Sequence, residues 1–278
     1  MKRWLAAVAL LLFLAMPNIV AGVESPWEIA LPFEYATINY TLSGMEKGEE
    51  LLYIRKYGKE SARYRTTKTS MLGMTMINRS VEIITPDWIY TFDLEEGSGA
   101  KSVNPQKLIA EEYNKLATAE QQKVQKNAEE MGPGFMSGMQ GSYEKNAKEI
   151  LGFSCDKATV MGSTIYSIHG TPIVLHTESN IMGITVKTVA TKLDKSAVPD
   201  KYFKFPDRIV PQPDPEADQM ARIMAEQSIS MLKDPEKFKA DNQGTIMNMV
   251  PGKKREIPPE EQQQVEEAMK ALKELFGN

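Results

Sequence analysis

Between Ile173 and Leu193 apolar and polar residues alternate on both sides of Asn180-Ile181-Met182-Gly183, and a chain so patterned must turn there into a β-hairpin. Folding about Ile181 and Met182 sets Ser179 opposite Ile184, Thr177 opposite Val186, Leu175 opposite Thr188 and Ile173 opposite Ala190. Side chains alternate faces along a strand, so Ile173, Leu175, Ile184, Val186 and Ala190 gather on one side. His176, Glu178, Thr185 and Lys187 gather on the other. Val189 and Leu193 break the alternation, which marks the outer end of the second arm as bulged or covered. A hairpin with one apolar face needs a further sheet or helix against that face.

The remaining chain supplies such neighbours. Strands are expected at 33–42, 49–57, 61–71, 81–85, 88–94, 147–151, 155–160 and 163–169, with short connections except for one helical insertion. The pair around Pro86-Asp87 aligns Val81, Ile83, Trp88, Tyr90 and Phe92 on one face. Asn104-Pro105 is a helix start, and a helix should run from Pro105 to about Met131. The stretch from Gly132 to Gly141 reads as a mobile loop carrying Phe135, Met136 and Met139. These elements predict an α+β, mainly antiparallel β fold. About ten strands should curl into a half-open barrel, with the helical insertion over its concave face and helices at the C-terminus.

Three regions follow. Residues 1–22 read as a secretory signal peptide: Lys2-Arg3, an apolar run from Trp4 to Met16, then a small-residue exit with cleavage near Ala21 or Gly22. The expected location is periplasmic, or secreted. Residues 23–207 hold the strands. Residues 208–278 comprise a Pro-rich linker, an amphipathic helix from Glu216 to Lys233, and a last helix striped by Val265, Met269, Leu272 and Phe276. Without residues 1–22 the chain keeps 31 basic and 37 acidic residues, a net charge of −6 that argues against a nucleic-acid partner. Cys155 is the only cysteine, so no internal disulfide forms.

Tyr53-Ile54-Arg55 with Gly58, Trp88-Ile89-Tyr90-Thr91-Phe92, and Leu151-Gly152-Phe153-Ser154-Cys155 follow one another through the expected sheet. Gly170-Thr171-Pro172-Ile173-Val174-Leu175 and Val198-Pro199-Asp200 with Phe205-Pro206 complete the series. In this layout the chain resembles the periplasmic lipoprotein-carrier (Lol-type) superfamily, and more closely its outer-membrane lipoprotein-sorting-like relatives. The resemblance spans about Phe33 to Pro206. It implies a half-open antiparallel barrel whose concave apolar face, covered by helices, holds acyl chains.

Catalysis has little to work with: two histidines, one cysteine and no nucleophile or metal motif. Cys155 and His169 stand nearly opposite each other in the expected hairpin about Gly162, one register position apart, and a packed structural Cys is the favoured reading over a reactive dyad. Met71, Met74 and Met76 have thioether spacing for Cu(I), though Met equally fills adaptable apolar grooves. Arg63 and Arg65 share a strand face with Leu52 and Ile54, where they can meet a headgroup or form a solvated face. The expectation is therefore a non-enzymatic binding protein without metal or cofactor. It would shelter a lipid or a lipoprotein acyl chain in a cavity lined by Val81, Ile83, Trp88, Tyr90, Phe92, Leu175 and Val186. Phe135, Met136 and Met139 would act as a lid, and Arg63 and Arg65 as headgroup contacts. The alternatives are an envelope scaffold or sensor that binds a protein partner through its C-terminal helices, and a methionine-based Cu(I) binder.

Overall fold

A computed structural model describes residues 30–71, 74–138, 141–160, 162–181 and 184–237. The expected signal segment 1–22, the last expected helix, and the residues Met139 and Met182 lie outside the described residues. Six strands open the described chain: β1 (Ala36–Gly44), β2 (Glu46–Arg55), β3 (Glu60–Met71), β4 (Met74–Ile84), β5 (Trp88–Asp93) and β6 (Ser98–Val103). Helices α1 (Pro105–Asn114) and α2 (Thr118–Gly138) follow. Then come β7 (Ser142–Ile150), β8 (Phe153–Val160), β9 (Ser163–Ile168), β10 (Val174–Ile181) and β11 (Ile184–Asp194). A two-residue β12 (Gln212–Pro213) and helix α3 (Pro215–Lys233) complete the described chain.

The strands form one open sheet in the order β12-β6-β5-β4-β3-β2-β1-β11-β10-β9-β8-β7. Every neighbouring pair is antiparallel except β12 with β6. Short connections between successive strands favour this arrangement, because parallel neighbours need long crossovers. Among the described residues twelve strands replace the expected ten. β4 begins at Met74 rather than near Val81, and β7 begins at Ser142 rather than near 147. β6 and β12 carry little β-propensity of their own and exist through pairing with β5 and β6. Gly44 closes the turn into β2 at φ +103°, where a Cβ would lie 2.1 Å from the Thr185 carbonyl oxygen, so only glycine fits.

The β10–β11 hairpin pairs Ile181 with Ile184, Ser179 with Val186 and Thr177 with Thr188. That is two residues away from the expected register, and a shift of two keeps every side chain on its face. The irregularity at the outer end of β11 is a bulge against Asn39 and Tyr40, which returns Leu193 to a place opposite Ile38.

The single helix expected over 105–131 is broken at 115–117. Asn104 caps α1, its side-chain oxygen accepting from Gln106 N–H. Glu120 starts α2 by reaching back to the backbone N–H of Ala117. Downstream, α2 stays helical through Gly138, so the expected loop over 132–141 is overturned for its first seven residues. Packing outweighs local composition here: Val124 and Ala128 are buried against Ile229 and Leu232 of α3, and Asn127 donates to the Leu232 carbonyl.

The segment from Pro206 to Lys233 is tied to the rest rather than extended from it. β12 pairs with β6, Asp218 accepts from the Val103 backbone N–H, and Ala221 and Ala225 pack with Leu108. The helices reach both ends of the strand order, since α3 packs against β6 and α2 against β7 and β8.

Candidate functional site

Directly opposed residues of antiparallel strands share a face, so the registers carry face identity across the sheet. Starting from β5, Phe92 opposes Val81, which opposes Tyr64, then Leu51, then Asn39 of β1. Ile83 and Tyr90 belong to the same face, and alternation adds Trp88. Val186 opposes Gly44, two residues beyond Leu42 and four beyond Tyr40, so it has the opposite parity in β1 to Asn39. Leu175 packs with Ile38 and Ala190 on that second face. The cavity expected from the sequence is therefore corrected: Val81, Ile83, Trp88, Tyr90 and Phe92 lie on one face, Leu175 and Val186 on the other. Each hairpin segregates its apolar residues as expected, but the two apolar sets do not meet.

The chain itself fills the face of Phe92. Tyr202 stacks on Tyr53 with ring centroids 3.9 Å apart, and Tyr64 donates from its hydroxyl to the Tyr202 carbonyl. Phe205 lies 4.7 Å from Tyr90 and 5.3 Å from Phe92, while Val198, Phe203 and Ile209 join the same cluster. Arg55 anchors this strap, its guanidinium lying over the Phe203 ring and bonded to Asp200 at 2.6 Å. At the far side, Lys101 lies 3.6 Å over the Trp88 ring. Val81, Ile83 and Phe92 are buried beneath this strap, and Trp88 and Tyr90 are half-buried.

The opposite face divides into two halves. Across β1, β11, β10 and the Leu52–Ile54 end of β2 it is apolar, with Leu52, Ile54, Ile38, Ala190 and Leu175 buried alongside Leu31 and Phe33, while Glu46 and Glu50 stand on the same face of β2. At β3 it turns polar: Arg63 opposes Leu52 and Glu82, and Arg65 opposes Glu50 and Ser80. Arg63 and Arg65 thus share a face with Leu52 and Ile54, as expected, but carboxylates already hold them. Glu50, its side chain only 9% exposed, lies 3.3 Å from Arg63 Nε and 3.7 Å from Arg65 Nη1. Arg65 also pairs with Glu46 at 2.5 Å, and Arg63 Nη1 with Glu82 at 3.4 Å. Arg63 remains 44% exposed and Glu82 33%, so the outer side of the network is open to solvent. Tyr40, opposite Glu50, donates to the Val174 carbonyl, and burial followed by the Glu50 charge pushes its phenol well above the usual range.

The expected lid residues Phe135 and Met136 fall within α2. Of the methionine group, Met71 pairs with Met74 in the β3–β4 ladder, and Met76 is 69% exposed.

A polar cluster that the sequence did not point to stands at β7–β9. Asp156, 3% exposed, accepts from the Tyr143 hydroxyl at 2.7 Å, from the Asn146 backbone N–H at 2.9 Å, and bonds His169 Nδ1 at 2.8 Å. Burial opposes its ionisation, but those three partners together hold its carboxyl below the usual range. The phenol of Tyr143 is raised by burial and by this carboxylate. His169 is thus committed to Asp156, and Cys155 opposes Ile168 instead. The Cys155 thiol is fully buried, bonded to the Phe153 carbonyl and raised in pKa by burial, which removes the Cys–His dyad. The available signal was an aspartate inside a strand, one position from an apolar Cys and opposite a strand that ends in His. The second histidine, His176, stacks on Tyr166 at 5.4 Å. Its pKa is lowered by burial first, then by Lys187 and Lys148.

Comparisons with known proteins leave the family open. No family model matches the chain, and no curated protein matches it. Among solved structures, an uncharacterized conserved protein from Thermus thermophilus superposes with a TM-score of 0.35 at 10% identity, over 63% of this chain and 90% of that one. PNGF-II superposes with a TM-score of 0.36 at 11% identity, over 69% of this chain and only 33% of that one.

Proposed function

We propose that the chain is a non-enzymatic binding protein of the cell envelope that shelters the apolar part of a lipid or of a lipoprotein acyl chain. One observation carries this reading: on one sheet face the buried apolar residues Leu52, Ile54, Ile38, Ala190 and Leu175, drawn from four adjacent strands, adjoin an Arg–Glu network that is part-exposed at Arg63 and Glu82. An amphiphile has the same division along its length. The helices, which reach both β6 and the β7–β8 end, support a sheet curled into a half-open barrel. The likeness of the sequence pattern to the Lol-type carriers points the same way, as does an N-terminus patterned for export. The site of Leu175 and Val186 is kept, while the Phe92 face is left to the strap.

The test is gentle purification followed by native mass spectrometry and organic extraction. A bound lipid in near-stoichiometric amount is expected. Protein that carries none, and that fails to take up a fluorescent fatty acid, would overturn the reading. A second reading, a scaffold for a protein partner, is favoured by Met220 and Ile223, which are exposed on α3. It predicts that Met220→Asp with Ile223→Asp abolishes a complex without altering lipid uptake.

A further inference from the structure

We infer that the Arg63–Glu82 edge of the network receives a zwitterionic head, an ammonium beside a phosphate, attached to the sheltered apolar chain. The inference rests on the lipid-binding reading above and names the chemistry of its polar end. Arg63 is the place where that end must arrive, because it stands directly opposite Leu52, the outermost apolar residue of its row. Its side chain is 44% exposed, and both its carboxylate contacts are long, 3.3 Å to Glu50 and 3.4 Å to Glu82. By contrast Arg65 is drawn to Glu46 at 2.5 Å and is two-thirds covered. Arg63 is thus the more exposed and the more loosely held of the two arginines.

Charge decides what kind of head fits. Two arginines face three glutamates, Glu46, Glu50 and Glu82, so the network carries one negative charge in excess. A plain anion placed on Arg63 meets that excess and competes with Glu50, which is buried and needs its arginines. A plain cation placed on Glu82 is repelled by Arg63, 3.4 Å away. A zwitterion exchanges partners without leaving a charge alone: its phosphate takes the open side of Arg63, and its ammonium takes the carboxylate of Glu82. The long Arg63–Glu82 contact is the one that opens, and Glu50 keeps Arg63 and Arg65 in place beneath it.

The experiment measures binding of single-chain amphiphiles, below their micelle concentrations, to the full chain by titration calorimetry. Lysophosphatidylethanolamine, lysophosphatidylglycerol, a monoacylglycerol and free glycerophosphoethanolamine are the probes. The zwitterionic lipid should bind at least tenfold tighter than the anionic one, and the free headgroup should not bind measurably. Glu82→Gln, at a one-third exposed position, should keep its thermal midpoint and lose that preference to below threefold. Equal affinities for the two charged lipids, or a preference that survives Glu82→Gln, overturns the headgroup assignment while leaving lipid binding intact. Binding of free glycerophosphoethanolamine as tight as that of the lipid also overturns it, since the site would then be a small-molecule site. If no amphiphile binds, the monoacylglycerol included, the lipid-binding reading itself falls and this inference with it.

Discussion

Truncating Tyr202 separates core from ligand surface. Its ring stacks on Tyr53 at 3.9 Å and stands edge-on to Tyr64 at 6.2 Å, and it is half-buried where the strap meets the sheet. Removing a fully buried aromatic ring costs about 3–5 kcal/mol, so a half-buried one costs roughly 2. The stacked geometry adds about 0.5–1.5 kcal/mol beyond burial, giving a loss of about 3 kcal/mol for Tyr202→Ala. With a urea m-value toward the upper end of about 1–3 kcal/mol/M, the unfolding midpoint should fall by about 1 M. Tyr202→Phe keeps the stacked ring and the backbone carbonyl that Tyr64 donates to, and should cost less than half as much. Fatty-acid uptake by the folded Tyr202→Ala protein should match the parent. A midpoint that stays put while uptake fails would refute the argument, for the aromatic face would then belong to a ligand and not to the chain.

Asp156→Asn removes a buried acceptor that holds three donors and should destabilise at pH 7 by about 2–4 kcal/mol, at about 1.5–3 per bond to a charged group with part recovered by the amide. Because the folded carboxyl titrates below its unfolded value, its stabilisation is full above about pH 4–5 and is lost as pH falls through the folded value. Acid unfolding curves of parent and variant should therefore converge as pH falls below the unfolded value of about 3.9. His176 acts in a higher window with a lowered folded pKa: the unfolded chain takes up its proton first, so stability falls as pH drops below about 6.5. His176→Gln should flatten the melting temperature between pH 6.5 and 5, and an unchanged slope would remove His176 from the account. Gly44→Ala, which forces a Cβ against the Thr185 carbonyl at positive φ, should cost at least about 1–3 kcal/mol in chemical denaturation. Cys155 should resist a thiol reagent until the protein unfolds, and fast modification of the native chain would contradict its burial.

How far the fold could be read from the sequence follows from the range over which parity acts. Within a hairpin, two short arms and one tight turn fix which residues share a face. The sets Val81–Ile83–Tyr90–Phe92 and Leu175–Val186 were legible for that reason, and a register error of two residues at the β10–β11 turn did no damage. Between hairpins parity must be carried through every intervening strand. From Phe92 to Val186 that path crosses β4, β3, β2 and β1 and ends beside a bulge at Asn39–Tyr40. A single misplaced residue along it exchanges the faces, and nothing local in either hairpin reports the exchange. The same logic explains what filled the aromatic face. Tyr202, Phe203 and Phe205 are near in space to Tyr53, Tyr90 and Phe92 but more than a hundred residues away in sequence, so their pairing is a property of the closed chain. Asp156 was hidden for a related reason: a charged residue in a strand reads as solvent-facing until its partners are known, and here Tyr143 and Asn146 come from the neighbouring β7 and His169 from the turn after β9. The Arg63–Glu50–Glu82 network lies between these limits. Its residues occupy three adjacent strands joined by tight connections, so their shared face follows from two hairpin registers, and only the closeness of each ion pair required the folded protein.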